Sequence, residues 1–293
     1  MARKTITPAQ ESISRALEVL GKGHKNVKDL RRVLENNVAQ LPLWRDDKRG
    51  VPNELVRSAL FTVRNRRAKR RHYEDEPIVM IGDGRITYRG IELRQDDEDV
   101  WLQILHLARL QPLGECVQFS AYSMLKALGW APTGPNYTRL RECLSRMQAT
   151  ALGVYSKRLQ EGVSVSLIRK FEWQDANGSS LDRWQVWIEP EMKTLFGGVY
   201  YSQLEWEQRK RLRPLSKYLH GLYASHERPF PLKVETLHKG SGSDTKLLKH
   251  FKEKLIEALN QLVAIGFLAD WKIDIADLVH VTRATTKSQE STK

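Results

Sequence analysis

Apolar and polar residues recur with helical spacing in the centre of the chain, between Phe119 and Trp173. One apolar stripe returns every three or four residues, at Tyr137, Leu140, Cys143, Leu144, Met147 and Ala151. The preceding run, Ser120–Leu128, has its own stripe, and a Gly- and Pro-rich join after it excludes one continuous helix. The segment from Val154 to Trp173 is rich in β-branched and aromatic residues and is broken at Glu161-Gly162. This pattern predicts two short helices followed by a β-hairpin.

Two helices joined by a tight turn and followed by a hairpin are the arrangement of a winged helix. Shape alone does not establish DNA binding, because many small α+β domains share these elements and bind nothing. The side chains favour it, because those that contact base edges and phosphates lie off the apolar stripe of the second helix. We predict DNA contacts for Thr138, Arg139, Arg141 and Arg146 on this helix. On the hairpin we predict them for Lys157, Arg158, Arg169 and Lys170.

A basic run lies ahead of this motif. The apolar spacing predicts a helix over Pro52–Asn65, and a hairpin over Ile78–Leu93 that turns at Gly82-Asp83-Gly84, where glycine supplies the positive φ of a tight turn. Cations between such elements usually lie in solvent, but beside a winged helix they would follow phosphates and add salt dependence to binding. We predict DNA contacts for Arg66, Arg67, Lys69, Arg70 and Arg71.

The acidic run Asp96-Asp97-Glu98-Asp99 superficially resembles a metal site. Apolar residues follow it at helical spacing from Val100 to Leu107, and carboxylates at a helix N-terminus meet free backbone N–H groups. We therefore predict the start of a helix rather than a metal site. The residues Glu115–Phe119 are predicted to form a short strand that leads into the winged helix.

Residues 1–50 are predicted to form a short, loosely attached helical arm. One helix starts at Thr7-Pro8 and a second at Asn26, but together they have too few apolar residues for a core of their own. The peptide Gln40-Leu41-Pro42-Leu43-Trp44 follows them. A charged linker from Arg45 to Arg49 is expected after this peptide.

The order of elements repeats in the second half of the chain. A strand over Trp184–Ile188 and a boundary at Pro190–Gly198 precede a long helix over Ser202–Ala224, which Pro214 is expected to kink. The next predicted elements are a strand over Phe230–Val234, a helix over Glu235–Lys239, a helix over Lys246–Ile265, and a hairpin of Phe267–Ile273 and Leu278–Arg283. On the long basic helix we predict DNA contacts for Lys246, Lys249, His250, Lys252 and Lys254. The polar tail from Ala284 is predicted to be disordered.

The composition favours a polyanionic partner. The 293 residues include 48 Lys and Arg against 35 Asp and Glu, a formal net charge of +13. An anionic membrane surface would suit this charge equally, but no apolar run reaches the about 18 residues that span a bilayer, and the N-terminus has no apolar signal core. We therefore expect a soluble, cytoplasmic protein. Cys116 and Cys143 have neither a CxxC spacing nor a partnered His, which indicates reduced core residues.

These patterns together predict an α+β fold of two tandem winged-helix domains. The expected limits are an arm at 1–50, a first domain at 51–190, a second at 191–283 and a tail at 284–293. Enzyme classes fit poorly, because no His-x-His accompanies Tyr200-Tyr201 and the segment Gly240–Lys246 does not match GxxxxGK[ST]. We expect no catalytic residue, no metal and no cofactor.

Four segments resemble a known family: VPNELVRSALFTVRN, LRQDDEDVWLQILHLARLQPLGE, TRLRECLSRMQATAL and VSVSLIRKFEW. They are similar to the TrfA family of plasmid replication initiators, and the similarity extends from about Gln40 to Arg283. The resemblance implies two tandem winged helices that bind directly repeated sites, iterons, in double-stranded DNA at a plasmid origin. It also implies melting of the adjacent AT-rich DNA and contacts with the host's DnaA, replicative helicase and sliding clamp.

The peptide Gln40–Trp44 has two interpretations. It resembles the short clamp-binding motif that lies just ahead of the family's first domain, with Pro42 and Trp44 in place of the consensus Ser or Asp and Phe. In that case Leu41, Leu43 and Trp44 would anchor the peptide and Gln40 would orient it. The alternative is that the same residues pack the arm onto the first domain.

Two hypotheses of function remain from the sequence. In the first, the protein is a non-enzymatic initiator that binds iterons as a monomer, with single-stranded origin DNA as a further ligand, while a homodimer restrains copy number. In the second, it is a transcription regulator that binds an operator as a dimer, with one winged helix contacting DNA and the other dimerising.

Overall fold

The computed structural model describes residues 39–159, 162–175, 177–197 and 200–284, which form a mixed α/β fold. The elements predicted before residue 39 and the tail after residue 284 lie outside the described residues. The helices are α1 (Asn53–Val56), α2 (Gln95–Ala108), α3 (Ala121–Leu128), α4 (Gly134–Gln148), α5 (Met192–Phe196), α6 (Trp206–Lys210), α7 (Pro214–Ala224), α8 (Val234–Gly240) and α9 (Leu248–Ala264). The strands are β1 (Lys48–Pro52), β2 (Phe61–Thr62), β3 (His72–Ile78), β4 (Gly84–Ile91), β5 (Leu93–Arg94), β6 (Cys116–Phe119), β7 (Ala151–Ser156), β8 (Gly162–Val165), β9 (Lys170–Gln174), β10 (Ser180–Trp187), β11 (Tyr201–Glu205), β12 (Leu232–Lys233), β13 (Leu268–Ile273) and β14 (Leu278–Arg283).

Two clusters of buried apolar side chains divide the described chain. The first runs from Leu41 to Trp206, and the second runs from Leu212 to Val279 and also includes Ile81. We call residues 39–206 the first unit and residues 212–284 the second unit, and residues 207–211 connect them. The domain limits drawn from the sequence stay predictions.

The two units share one order of elements. Each has a helix, a strand, two further helices and then the two strands of a hairpin: α2, β6, α3, α4, β9 and β10 in the first unit, and α7, β12, α8, α9, β13 and β14 in the second. Each also has a three-stranded antiparallel sheet in which the last strand lies in the middle, β6-β10-β9 and β12-β14-β13. The first unit has an extra hairpin, β7–β8, which extends β3 and β4 into a four-stranded sheet.

The extra hairpin corrects a prediction made from the sequence. The hairpin predicted between Val154 and Trp173 is wrong in extent, because its second strand ends at Val165 and Lys170–Gln174 pairs instead with Ser180–Trp187. Leu167 and Ile168 are both fully buried, so the chain turns into the core there instead of alternating between two faces. The first-unit counterpart of the β13–β14 hairpin is therefore β9–β10.

Two long helices predicted from the sequence are also wrong. The helix expected over Pro52–Asn65 ends at Val56, and Phe61–Thr62 pairs with β5 as a short parallel strand, which suits aromatic and β-branched residues. The helix expected over Ser202–Ala224 is instead strand β11 followed by α6 and α7. Pro214 starts α7 rather than kinking a longer helix, because a missing N–H is harmless in the first turn.

The stretch between the predicted arm and the first domain is part of the fold. The charged linker expected from Arg45 to Arg49 is wrong, because Lys48–Pro52 forms β1 and pairs antiparallel with β11 along its whole length. Arg49 is buried, and its Nε donates a 2.9 Å hydrogen bond to Gln103 Oε1. This pairing joins the start of the first unit to its end.

Other predicted elements are confirmed. Helices α3, α4, α8 and α9 lie where apolar spacing placed them, and β13 and β14 form the predicted hairpin. Helix α4 ends at Gln148, however, so Ala151, which was expected on its apolar stripe, is instead the exposed first residue of β7. Cys116 and Cys143 are free thiols, and burial raises the pKa of Cys143 well above its ordinary value. None of the described helices combines the length and the apolar composition needed to cross a membrane.

Candidate nucleic-acid interface

Helix α4 presents an uninterrupted polar face to solvent. Its apolar residues Leu140, Cys143, Leu144 and Met147 are buried. The opposite face carries exposed side chains that lie three or four residues apart, namely Thr138, Arg141, Ser145 and Gln148. All of these side chains donate or accept hydrogen bonds to base edges. Thr138 and Arg141 were predicted as DNA contacts, whereas Ser145 and Gln148 were not, although their spacing already placed them on the same face.

Arg139 and Arg146 turn away from this face and pair with α2. Arg146 Nη2 lies 2.8 Å from Asp97 Oδ1, and Arg139 Nε lies 3.1 Å from Asp96 Oδ2. The Arg139 guanidinium also lies 3.8 Å from the centroid of the Trp130 ring. Because Asp97 is fully buried, turning Arg146 toward DNA would leave a buried carboxylate without this partner. The two arginines position α4 on α2, and we no longer expect Arg146 to contact DNA.

The acidic run is the start of a helix, as predicted. Helix α2 begins at Gln95, and the Asp97 side chain accepts a 2.8 Å hydrogen bond from the backbone N of Arg94. Burial alone would raise the pKa of Asp96, but Arg139 and Arg70 outweigh it, and the pKa lies below its ordinary value. Within the described ranges, no group of three or more His, Cys, Asp or Glu residues is placed to hold a metal ion.

The basic run divides into paired and exposed cations. Arg70 Nη1 lies 2.7 Å from Asp97 Oδ2, and Arg71 Nη2 lies 3.1 Å from Glu76 Oε2. Arg66, Arg67 and Lys69 are exposed and have no ion pair within the described residues. Arg66, Arg67 and Lys69 are therefore better candidates for phosphate contacts than Arg70 and Arg71, since no ion pair among the described residues neutralises their charge.

The cations predicted for the first hairpin do not share one surface. Arg158 Nη2 lies 2.8 Å from the buried Glu54 Oε1, and Lys157 Nζ lies 2.9 Å from Asp83 Oδ2. Both residues follow β7 and so belong to the extra hairpin. Arg169 and Lys170 are exposed at the start of β9, where Lys170 Nζ lies 2.5 Å from Glu172 Oε1 and 4.6 Å from the centroid of the Trp187 ring. The β9–β10 hairpin adds the exposed Arg183, which the sequence interpretation missed because it placed the hairpin earlier.

Helix α9 carries exposed lysines over an apolar interior. Lys246, just before the helix, and Lys249, in its first turn, are exposed and have no ion pair among the described residues. The other predicted cations have partners: His250 with Glu253, Lys252 with Asp277, and Lys254 with the hydroxyl of Thr245. The two free lysines place unneutralised charge at the helix N-terminus, where backbone N–H groups also favour phosphate oxygens.

The peptide Gln40–Trp44 packs against the first unit. Leu41 and Trp44 are buried, and Trp44 stacks on Phe196 with 5.9 Å between ring centroids. Trp44 Nε1 donates a 3.1 Å hydrogen bond to His106 Nδ1. Leu43 alone among the predicted clamp anchors is exposed, at 68%. In this conformation two of the three anchors are therefore core residues.

Comparisons with known proteins agree on one family. The sequence model of the TrfA protein family matches residues 7–283. The plasmid replication initiator protein TrfA of Escherichia coli is 38% identical over 262 residues, which cover 88% of this chain and 68% of that protein.

Solved structures share the fold at low sequence identity. A crystal structure of RctB domains 2–3 matches with a TM-score of 0.51 over 75% of this chain and 92% of that chain, at 13% identity. A selenomethionine derivative of domain 2 and domain 3 of RctB matches with a TM-score of 0.54 over 80% of this chain and 98% of that chain, also at 13% identity. At this identity the likeness concerns the fold alone.

Proposed function

The chain belongs to the TrfA family, and we propose that it is a plasmid replication initiator that binds iterons in double-stranded origin DNA. Each unit acts as a winged helix that places one helix in a major groove, α4 from the first unit and α9 from the second. Binding is followed by melting of adjacent AT-rich DNA, and the exposed cations follow the phosphates on either side.

The repeated order of elements is the observation that carries this proposal. Apart from the extra β7–β8 hairpin and the elements before α2 and after β10 in the first unit, the two units have the same order of helices and strands and the same strand order in their three-stranded sheets, and each ends its helix pair with a helix whose outer face is polar. A chain with two such helices suits one long site read by a monomer, because a dimer is not needed to supply a second helix. The net charge of +13 supports a DNA partner over a neutral one.

Recruitment of the host's DnaA, replicative helicase and sliding clamp rests on family membership rather than on a surface of this structure. The same holds for single-stranded origin DNA as a ligand and for a homodimer that restrains copy number. For the clamp, the buried state of Leu41 and Trp44 means that full docking of the peptide requires its release from the first unit.

Stoichiometry on cognate DNA tests the proposal. In gel-shift titrations with duplexes that carry one or more direct repeats, we expect one monomer per repeat and a footprint longer than one helical turn of about 10.5 base pairs. Permanganate reactivity should report melting beside the repeats when host factors are added. Stable dimers on an inverted repeat, without melting, would instead support the transcription regulator.

The clamp contact has its own test at an exposed residue. Leu43→Asp changes an exposed side chain, so it should abolish recovery of the protein by an immobilised sliding clamp while iteron affinity and folding stay unchanged. Leu110→Asp is the matched control, because Leu110 is similarly exposed, at 66%. If Leu43→Asp is recovered as well as the control, the peptide only packs the chain onto the first unit.

A further inference from the structure

The start of α2 holds the second unit as well as α4. Asp99 Oδ1 lies 2.8 Å from Nε of Arg209 in the connecting helix α6, and its other oxygen pairs with Nζ of Lys217 in α7. Arg209 Nη2 lies 3.0 Å from Glu98 Oε2 and donates to Gln95 Oε1 at 3.2 Å. The first turn of α2 therefore forms ion pairs both with the connecting helix α6 and with α7, the first helix of the second unit.

Arg209 is a buried side chain that connects α2 to α7, not a mobile charge on the surface. It is fully buried, and its Nη1 donates a 3.2 Å hydrogen bond to the backbone oxygen of Lys217. Burial would lower its pKa, but Glu98 and Asp99 outweigh that effect and raise the pKa above its ordinary value. A planar guanidinium that bridges two carboxylates and a carbonyl fixes orientation as well as distance.

The neighbouring carboxylates hold α4 in the same way. Asp96 and Asp97 pair with Arg139 and Arg146 on one side of the turn, whereas Glu98 and Asp99 pair with Arg209 and Lys217 on the other. The connecting helix also touches the helix pair of the first unit, because Trp206 Nε1 donates a 2.8 Å hydrogen bond to Ala127 O at the end of α3. Four consecutive acidic residues thus link the element that carries one DNA-facing helix to the element that carries the other.

Further contacts supplement this ionic link between the units. Arg57 Nε donates to Ser225 Oγ at 2.9 Å, the backbone N of Val63 donates to Ser241 O at 3.0 Å, and Arg64 Nε lies 3.5 Å from Asp244 Oδ2. Ile81 is also buried in the apolar cluster of the second unit. None of these contacts involves α2 or α4. They hold the units together at other points, so loosening the ionic link should change the angle between the units without separating them.

We infer that Asp99, with Arg209 and Lys217, sets the distance and rotation between the two DNA segments that α4 and α9 contact. These are positioning residues, and the inference rests on the proposed function that both helices enter major grooves. Each base pair inserted between the two segments moves the second by about 3.4 Å along the duplex and turns it by about 34°. A rigid link between the units prevents α9 from following the displaced segment, whereas a loosened link allows α9 to reach it.

Binding to duplexes with altered internal spacing tests this inference. The cognate repeat is compared with versions that have one or two base pairs inserted between the segments protected by the two units. We expect wild-type affinity to fall about tenfold or more on a two-base-pair insertion, because the contacts of one helix are lost. In Lys217→Met and Asp99→Asn the same insertion should reduce affinity much less.

Matched variants separate this role from general damage. Asp96→Asn alters the neighbouring carboxylate that pairs with α4. It should therefore show the same loss of affinity on a two-base-pair insertion as the wild-type protein, the spacing penalty, even if its overall affinity falls. Lys217→Arg keeps the charge and should restore the penalty lost in Lys217→Met. Lys217 is partly exposed, with 15% of its side chain accessible, so the Met variant is expected to fold and tests the inference even if Asp99→Asn lowers stability.

The outcomes distinguish the inference from the proposed function. A wild-type protein that tolerates insertions, together with a Lys249→Ala variant that binds normally, would overturn both, since the second helix would then not contact DNA. A wild-type protein that is sensitive to spacing, with Lys217→Met and Asp99→Asn equally sensitive, would overturn only the inference. Relaxed spacing in the variants with normal affinity for the native repeat supports it.

Discussion

Helices α4 and α9 occupy the same place in the two units but differ in the polar contacts that hold them. Both bury an apolar stripe, but α4 is also held by ion pairs, because Arg139 and Arg146 reach back to Asp96 and Asp97 at the start of α2. The buried positions of α9 are all apolar, namely Phe251, Leu255, Ala258, Leu259 and Leu262, and its half-buried Gln261 accepts a neutral 2.9 Å hydrogen bond from Ser216 Oγ of α7. A cation that holds a helix in place is not available to a phosphate.

The difference implies that the two helices, if both contact DNA, make different kinds of contact with it. Arg141 is the one exposed cation on the outer face of α4, where it lies among hydroxyl and amide side chains and the exposed carboxylate of Glu142, a set suited to base edges. The free Lys246 and Lys249 at the start of α9 are suited to phosphates. We therefore expect the first unit to contribute more of the sequence discrimination and the second more of the salt-dependent affinity.

Removing an ionic anchor of α4 should give the largest effect. Arg146→Ala takes both donors from Asp97 Oδ1, while Arg70 still pairs with the other oxygen. We expect the free energy of unfolding to fall by about 3 kcal/mol, the lower end of the range for a broken buried pair, as measured by urea denaturation. Lys249→Ala is the control on α9 and should change stability by less than about 0.5 kcal/mol. Equal effects of the two substitutions would contradict the ionic account of α4.

The exposed arginine of α4 should affect specificity instead of folding. Arg141→Ala is expected to weaken binding to the cognate repeat by about 1–3 kcal/mol, and to lose discrimination at one or two base pairs. Competition with singly substituted repeats measures this directly. Arg139→Ala is the comparison, because its loss should lower stability and weaken binding to all sequences alike. If Arg141→Ala binds every sequence more weakly by the same factor, Arg141 contacts only phosphate.

The apolar interior behind α9 should show its own pH dependence. His220 in α7 is fully buried against Phe267, both ring nitrogens lack a hydrogen-bond partner among the residues that the structure describes, and burial lowers its pKa to about 3. Below about pH 6.5 His220 is protonated in the unfolded chain, but in the folded chain it stays neutral until near pH 3. The free energy of unfolding therefore decreases as the pH falls from about 6.5 to about 3.

His220→Leu removes this proton linkage. Between pH 7 and pH 5 the wild-type protein should lose about 2 kcal/mol of unfolding free energy more than the variant, measured by urea denaturation at both pH values. His106, whose pKa burial lowers to about 4, remains in both proteins and so cancels in the comparison. An identical loss in the two proteins would mean that His220 is protonated in the folded state.

The comparison also explains what the sequence could predict. Helix α9 has a regular apolar stripe and no long-range partner that changes its boundaries, so spacing alone located it. Helix α4 was located equally well by its stripe, but the ion pairs of its arginines could not be predicted. Asp96 lies 43 residues before Arg139 and Asp97 lies 49 residues before Arg146, and local patterns do not indicate such pairs.

The two helices that were predicted wrongly also depend on residues distant in sequence. The apolar residues of Pro52–Asn65 fit a helix, yet β5 and Val79 lie beside them in the fold, and the backbone pairs there instead. Likewise, Ser202–Glu205 is a strand only because Lys48–Pro52 lies next to it. Both errors concern partners distant in sequence, whereas the second unit, whose elements are nearer neighbours in the chain, was predicted closely except for the start of its first helix at Pro214.

The smallest expected effect concerns the free lysines at the start of α9. If Lys249 contacts a phosphate, Lys249→Ala should lower the slope of log affinity against log salt by about 1 and weaken binding to all sequences similarly. Lys246→Ala should do the same, and the slope is measured from gel shifts over a series of salt concentrations. Lys252→Ala is the matched control on the same helix, since Lys252 already pairs with Asp277 and its charge is partly neutralised. If Lys252→Ala lowers the slope as much as Lys249→Ala, internal pairing does not decide which cations hold the DNA, and the contrast drawn between α4 and α9 fails with it.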